Sequence, residues 1–242
     1  MTNDPRLLID IGNTAVKIAV ARREQILAVQ QHAQLTDAVL KPLLQTYAPG
    51  MAVVASVRKD RETEEQQLQT YVKKILFCTP DMPLPVRNLY ATPGTLGFDR
   101  LAAAAGAHYL FPQRDCMIVD CGTAITVDFL SCRGEFLGGN ISPGLEMRFK
   151  ALHRFTEQLP LGALTGNAAP VGKNTQEAIE AGVVQGILHE LEGYIRDYPA
   201  TTAVFTGGDT IYFAKRIKKP IFVVRNLNFT GLAKIADYNA YL

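Results

Sequence analysis

Val, Ile and Leu crowd into short runs near the start of the chain, Leu7 to Ile11, Ala15 to Ala21 and Ile26 to Gln31, with only a Gly-Asn-Thr turn and the charged Arg22-Arg23-Glu24 between them. Runs of this length and residue type, separated by turn residues, predict consecutive strands. The spacing then becomes helical over about Thr36 to Tyr47, a strand is predicted at Met51 to Val57, and a charged helix from about Arg61 to Leu76 leads into a Pro-rich link. A helix over Asp99 to Leu110 closes this half.

The same pattern begins again at Met117 to Cys121, Ala124 to Leu130 and Glu135 to Ile141. Aligning Leu8-Ile9-Asp10-Ile11-Gly12 with Ile118-Val119-Asp120-Cys121-Gly122 puts an Asp-x-Gly at the end of the first strand of each half, with Thr soon after. Self-similarity of this kind indicates a duplicated domain. Ile179, Val183, Ile187, Leu191 and Ile195 recur at helical spacing, and Thr202 to Phe205 and Ile221 to Val224 read as strands around another helix. Each half is thus a strand meander followed by alternating α and β, with halves expected at 1–112 and 113–242.

Composition narrows the function classes. Hydrophobic residues at 48% and charged residues at 20% suit an ordinary globular chain with a sizeable core. A formal charge of +2 is too small for a nucleic-acid footprint, so none is expected as a partner. Cys78, Cys116, Cys121 and Cys132 form no CxxC pair and do not cluster with His32, His108, His153 or His189, which argues against structural zinc and for free thiols in a reducing cytosol. No apolar run reaches membrane-spanning length, and the N-terminus lacks a basic region followed by a hydrophobic one; a cytoplasmic protein is expected.

The chemistry concentrates in a few stretches. In Asp10-Ile11-Gly12-Asn13-Thr14, followed by Lys17, a strand-end carboxylate can hold a metal ion, Gly12 admits a phosphate close to the backbone, and Asn13, Thr14 and Lys17 can donate to phosphate oxygens. A plain hairpin turn is the alternative. The second copy, Asp120-Cys121-Gly122-Thr123, favours the phosphate reading, because duplicated domains with facing turns could grip a nucleotide between them. Val204-Phe205-Thr206-Gly207-Gly208-Asp209 is a strand ending in paired glycines, suited to the wall of an adenosine pocket or to a simple turn. Gly166 through Asn174 imitates a P-loop but has the wrong glycine spacing and Asn174 where Ser or Thr should stand.

Taken in order, these motifs resemble the two phosphate motifs and the adenosine motif of the superfamily of acetate kinase, sugar kinases, heat-shock chaperones and actin. Gly97-Phe98-Asp99-Arg100 resembles the Gly-x-Asp-Arg pantothenate motif of type III pantothenate kinases, and the likeness extends to Tyr90, Gly138 through Gly144, and Gly172-Lys173-Asn174-Thr175. The resemblance implies an α/β fold of two duplicated ribonuclease-H-like domains, as in actin-like ATPases, with a nucleotide cleft between them. It implies ATP-dependent phosphorylation of pantothenate to 4′-phosphopantothenate. Asp99 matches the proton acceptor, and Tyr90, Gly97, Phe98, Arg100 and Thr175 match the pantothenate contacts. Asp10, Ile11, Gly12, Asn13, Thr14, Ala15, Val16 and Lys17 match the ATP phosphate site, joined by Thr123, Gly207 and Gly208. Asp120 matches the ligand of a monovalent cation, K⁺ or NH₄⁺, required beside Mg²⁺. The resemblance also implies a homodimer, with Thr175 serving the neighbouring subunit's site. Thr92-Pro93 and Ile125 depart from the usual family residues without touching these positions.

Elementary chemistry leaves each role an alternative. Asp99 at a helix start can be a cap, Arg100 a structural ion-pair partner, Tyr90 surface packing and Lys17 a solvated lysine. A non-catalytic regulatory member of the same fold, or a kinase for another small alcohol, would carry the same architecture.

Overall fold

The computed structural model describes residues 4–12, 14–56, 62–79, 81–166 and 168–240. The chain divides into two compact units, one of Met1–Gln113, Leu130–Leu137 and Asn226–Leu242, the other of Arg114–Phe129 and Gly138–Arg225.

The first unit is built on β1 (Arg6–Ile11), β2 (Val16–Arg22), β3 (Gln25–His32), α1 (Asp37–Tyr47), β4 (Met51–Ser56), α2 (Glu62–Gln69), β5 (Lys74–Phe77), β6 (Arg87–Asn88) and α3 (Phe98–Leu110). Its sheet runs β3-β2-β1-β4-β5, antiparallel through β3, β2 and β1 and parallel through β1, β4 and β5. Leu7, Ile9 and Ile11 of β1 pack with Leu40 and Leu43 of α1 and with Leu68 into one core. α1 ends at Ala48, whose left-handed backbone (φ 44°) lets its N–H reach the Leu44 carbonyl.

The charged helix expected from Arg61 to Leu76 is corrected: α2 stops at Gln69, and Lys74–Phe77 forms β5, paired in parallel with β4 from Met51↔Lys74 to Val54↔Phe77. Lys-Ile-Leu-Phe is too short to declare a period of its own, and the open edge of β4 decides the matter by taking up its backbone groups. Arg61 and Val57, at the expected ends of that helix and of the strand before it, lie outside the described residues.

The second unit repeats the plan with β7 (Cys116–Cys121), β8 (Ala124–Leu130), β9 (Glu135–Pro143), α4 (Leu145–Arg154), α5 (Thr175–Asp197), β10 (Thr202–Thr206), α6 (Thr210–Ala214) and β11 (Phe222–Val223). Reading β9-β8-β7-β10-β11 gives the strand order of the first sheet, which is how a duplication should look in three dimensions. Met117, Val119 and Cys121 of β7 enter the core of this unit with Val183, Val184, Ile187 and Leu191 of α5. Glu135 and Phe136, at the start of β9, count with the first unit and pair with β6. α4 goes beyond the elements expected from the pattern, as does the C-terminal helix α7 (Leu227–Asn239), which returns to the first unit.

There α7 packs on α3, whose Leu101-Ala102-Ala103-Ala104-Ala105-Gly106-Ala107 is buried throughout. Alanine favours helix and leaves the surface flat enough for close approach. The approach is so close that a Cβ at Gly231 would overlap the Ala102 carbonyl and one at Gly106 would meet the Leu227 carbonyl. Arg6 ties α7 to β1 through Asp237 at 2.5 Å and the Ala233 carbonyl at 3.2 Å. Forcing α3 and α7 apart should therefore unseat the sheet face they cover. Gly231→Val is expected to destabilise the protein by about 1–3 kcal/mol, read as a lower urea midpoint at unchanged slope; an unchanged midpoint would show that the helices can separate at no cost.

Candidate active site

In the first unit, β1 and β2 meet in a turn closed by the Gly12 N–H donating to the Ala15 carbonyl at 3.0 Å. Asp10 and Lys17 stand directly opposite in the ladder, so their side chains leave the same face, and both are half-buried. Because strand side chains alternate, that face is the one away from the Ile9 and Ile11 core. Ile11 and Val16 are themselves buried in that core, so only their backbone groups are available to a ligand. Thr14 is exposed and Ala15 half-buried, whereas Asn13 lies outside the described residues.

The second unit has a tighter version of the turn. Gly122 donates to the Ala124 carbonyl at 3.1 Å, one residue sooner than in the first copy, and leaves Thr123 exposed. Two glycine positions are forced by close approach to it. Gly144 donates to the Thr123 carbonyl at 3.1 Å, and a Cβ there would overlap the Gly122 and Thr123 carbonyls. Gly207 has φ +97°, and a Cβ there would strike the Asp120 carboxylate and the Cys121 carbonyl. The loop after β10 is thereby laid against the end of β7, and Asp209 completes the contact by donating its N–H to the Cys121 carbonyl at 3.0 Å. Gly208 is exposed, with open space where a side chain would be.

Asp209 is a residue of this site to which sequence reasoning gave no role. Burial first, and the nearby Glu146 second, push its carboxyl above the usual range. Cys121 sits beneath the same loop, its thiol pushed up to about 12 chiefly by burial, and Cys116 is raised to about 11 for the same reason. Both are neutral packing groups, not nucleophiles. Among the described residues no group of three or more His, Cys, Asp or Glu could hold a metal ion.

The expected acceptor residues come together within the first unit. Gly97 is the cap position of α3, Phe98 is buried, and Asp99 lies in the first turn with its Oδ1 accepting from the Arg100 N–H at 2.9 Å. The helix-terminal position and the placement of a carboxylate beside Arg100 thus coincide. Arg100 is only 6% exposed, its guanidinium 5.6 Å from the centre of the Tyr90 ring and 5.7 Å from that of Phe136. A guanidinium beside aromatic rings is attracted by their quadrupoles. Tyr90 is half-buried, with its N–H donating to Asn88 Oδ1 at 2.9 Å and its ring 6.3 Å from that of Phe136. Phe136 is the second residue that sequence reasoning missed; nothing in its local sequence marks it.

Thr175 has a separate setting in the second unit. It opens α5, whose cap Asn174 accepts from the Glu177 N–H at 3.0 Å while Glu177 accepts from the Lys173 N–H at 2.8 Å and from Asn174 Nδ2 at 2.9 Å. Gly172 before it is pressed against the backbone of Glu177 and Ala178. The stretch that imitates a P-loop is thus helix-capping chemistry. Exposed Thr175 lines an open cavity of about 910 Å³ with Arg148, Leu152, Leu159 and Ile179.

A model of the type III pantothenate kinase family matches residues 6–197. A type III pantothenate kinase of Bacteroides fragilis is 42% identical over 237 residues, 96% of this chain and 98% of the relative. Among solved structures, a Baf family protein of Campylobacter jejuni, described as a transcriptional activator candidate, superposes with a TM-score of 0.64 at 23% identity over 98% of this chain and all of that one. A Listeria monocytogenes protein described as an N-acetylmannosamine kinase candidate superposes with a TM-score of 0.56 at 14% identity over 97% of this chain and 99% of that one. The shared fold is the α/β arrangement of two ribonuclease-H-like domains found in sugar kinases and actin-like proteins.

Gly207→Ala is expected to strain the left-handed backbone and push the loop off Asp120, destabilising the protein by about 1–3 kcal/mol, read as a lower urea midpoint; an unchanged midpoint would show that the loop yields at no cost. Native protein treated with a thiol reagent should label at exposed Cys132 and spare buried Cys78, Cys116 and Cys121 until it is unfolded, which mass mapping checks.

Proposed function

The chain belongs to the type III pantothenate kinase family, and from that premise we propose that it transfers the γ-phosphate of ATP to the primary hydroxyl of pantothenate. The product is 4′-phosphopantothenate, the first step of coenzyme A biosynthesis. The observation that carries this reading is the Gly97-Phe98-Asp99-Arg100 motif at the start of α3, with Arg100 held against Tyr90.

Phosphoryl transfer needs positioning and charge neutralisation more than covalent chemistry. Arg100 offers a planar fork to the carboxylate of pantothenate, with Tyr90, Gly97 and Phe98 around it; buried Phe98 contributes through its backbone. Asp99, set by the Arg100 N–H, accepts the hydroxyl proton as the oxygen approaches phosphorus. On the donor side, the backbone from Asp10 to Val16, including Asn13, together with Lys17 and Thr123, holds the phosphates, and Gly207 and Gly208 admit the adenosine. A divalent metal accompanies ATP; we take it to be Mg²⁺, which supplies charge neutralisation at the phosphate oxygens with Asp10 able to hold it directly or through water. Asp120, beside the backbone of the Gly207 loop, is assigned to a monovalent cation, K⁺ or NH₄⁺.

Two copies are proposed to associate, with Thr175 of each contributing to its neighbour's acceptor site. No described helix is long and apolar enough to cross a membrane, and a cytoplasmic location is proposed with the reducing environment that its free thiols suit.

Purified protein with Mg·ATP and K⁺ should release ADP only when pantothenate is added, with the phosphorylated product seen by mass. ATP binding without release on any acceptor would favour a regulatory member of the fold, and release on another small alcohol would reassign the acceptor. Asp99→Asn should lower turnover by about two to four orders of magnitude while ATP still binds; near-normal turnover removes Asp99 as the base. Light scattering should give about twice the 26.5 kDa chain mass, and a monomer would detach Thr175 from a neighbour's site.

A further inference from the structure

Phe136 stands where segments far apart in sequence converge. It is wholly buried, at the start of β9. Its backbone holds β6, with Asn88 opposite it in the ladder and the Leu89 N–H donating to its carbonyl at 3.0 Å. That fixes the chain immediately before Tyr90. Its ring does something the backbone cannot. It lies 5.7 Å from the Arg100 guanidinium carbon and 6.3 Å from the Tyr90 ring, tilted by 56°, while Tyr90 takes the same guanidinium at 5.6 Å. Arg100 is thus flanked by an aromatic pair, of which only Tyr90 has a proposed contact with the acceptor.

A flexible arginine loses rotamer entropy when it grips a carboxylate, and a ring that confines its fork beforehand removes part of that cost. An aliphatic side chain of similar volume would fill the space without the quadrupole that attracts the cation. We propose that Phe136 is a positioning residue of the acceptor site, holding Arg100 where the carboxylate of the acceptor meets it. The inference rests on the reading of Arg100 as an acceptor ligand given above. The carboxylate keeps its charge throughout the reaction, so a contact to it is equally strong in the ground and transition states and its loss is read in KM and not in kcat.

The test is steady-state kinetics on the full chain, varying pantothenate and ATP separately, for Phe136→Met, Arg100→Lys and the double variant. Phe136→Met should raise KM for pantothenate about tenfold with kcat and KM for ATP within about twofold, and should add less than about twofold to Arg100→Lys, since the two act through one contact. A full tenfold effect in the Arg100→Lys background would overturn the proposal, leaving Phe136 as core packing independent of Arg100. So would kcat and both KM values moving together with a fall in melting temperature, or a pantothenate KM that does not move. If Phe136→Met does not fold, Phe136→Leu carries the same expectations. Arg100→Lys with an unchanged pantothenate KM would instead sink the acceptor-ligand reading itself, a result distinct from failure of Phe136 alone.

Discussion

A β-strand can send Ile9 and Ile11 into one core only by sending the residue between them to the other face. That alternation governs both halves of this protein. In β1 it turns Leu7, Ile9 and Ile11 toward α1 and leaves Asp10 on the opposite face at the strand's end; in β7 it does the same with Met117, Val119, Cys121 and Asp120. The apolar members are held by burial worth about 25 cal/mol per Å² of apolar surface, so the carboxylates are positioned by a core they do not join. A register slip that moved either Asp would have to bring a row of apolar residues out of the core with it.

Close backbone approach does the remaining work of placement. Gly106 and Gly231 let α3 and α7 pack carbonyl against Cα, which seats α3 on the sheet of the first unit. Gly144 and Gly207 let two loops rest on the Asp120 turn of the second. In each case a methyl group would occupy space held by backbone, and backbone cannot step aside as a side chain can. The two turns are nonetheless not copies: the first spans Gly12 to Ala15 and the second only Gly122 to Ala124. The duplicated scaffold is shared, while the turns at the ends of the two first strands differ in length.

The cluster at the start of α3 depends on how that helix is seated. The Ala-rich run of α3 is buried along its length, and this fixes the direction of its N-terminus. Asp99 then sits in the first turn, where its bond to the Arg100 N–H is a local, cap-like interaction, and Arg100 turns inward beside two aromatic rings. The Arg100 N–H is shared between the Gly97 carbonyl at 3.2 Å and Asp99 Oδ1 at 2.9 Å, so the carboxylate is oriented by a donor of the first helical turn.

Much of this was legible in the chain itself. Strand periodicity marked the repeated meanders, and the Asp-x-Gly repeats, paired glycines and Gly97-Phe98-Asp99-Arg100 were readable because turn and phosphate chemistry demand particular residues at particular spacings. β5 was not legible, since Lys74–Phe77 becomes a strand through the open edge of β4. Nor was the return of α7 to the first unit, which depends on glycine contacts between helices far apart in sequence. Phe136 and Asp209 carry no local signature; one gains its place from what its ring faces and the other from burial. Sequence by itself determined the elements and residue types whose constraints are local in the chain, and tertiary structure alone decided which of those residues meet, because packing is a property of neighbours in space.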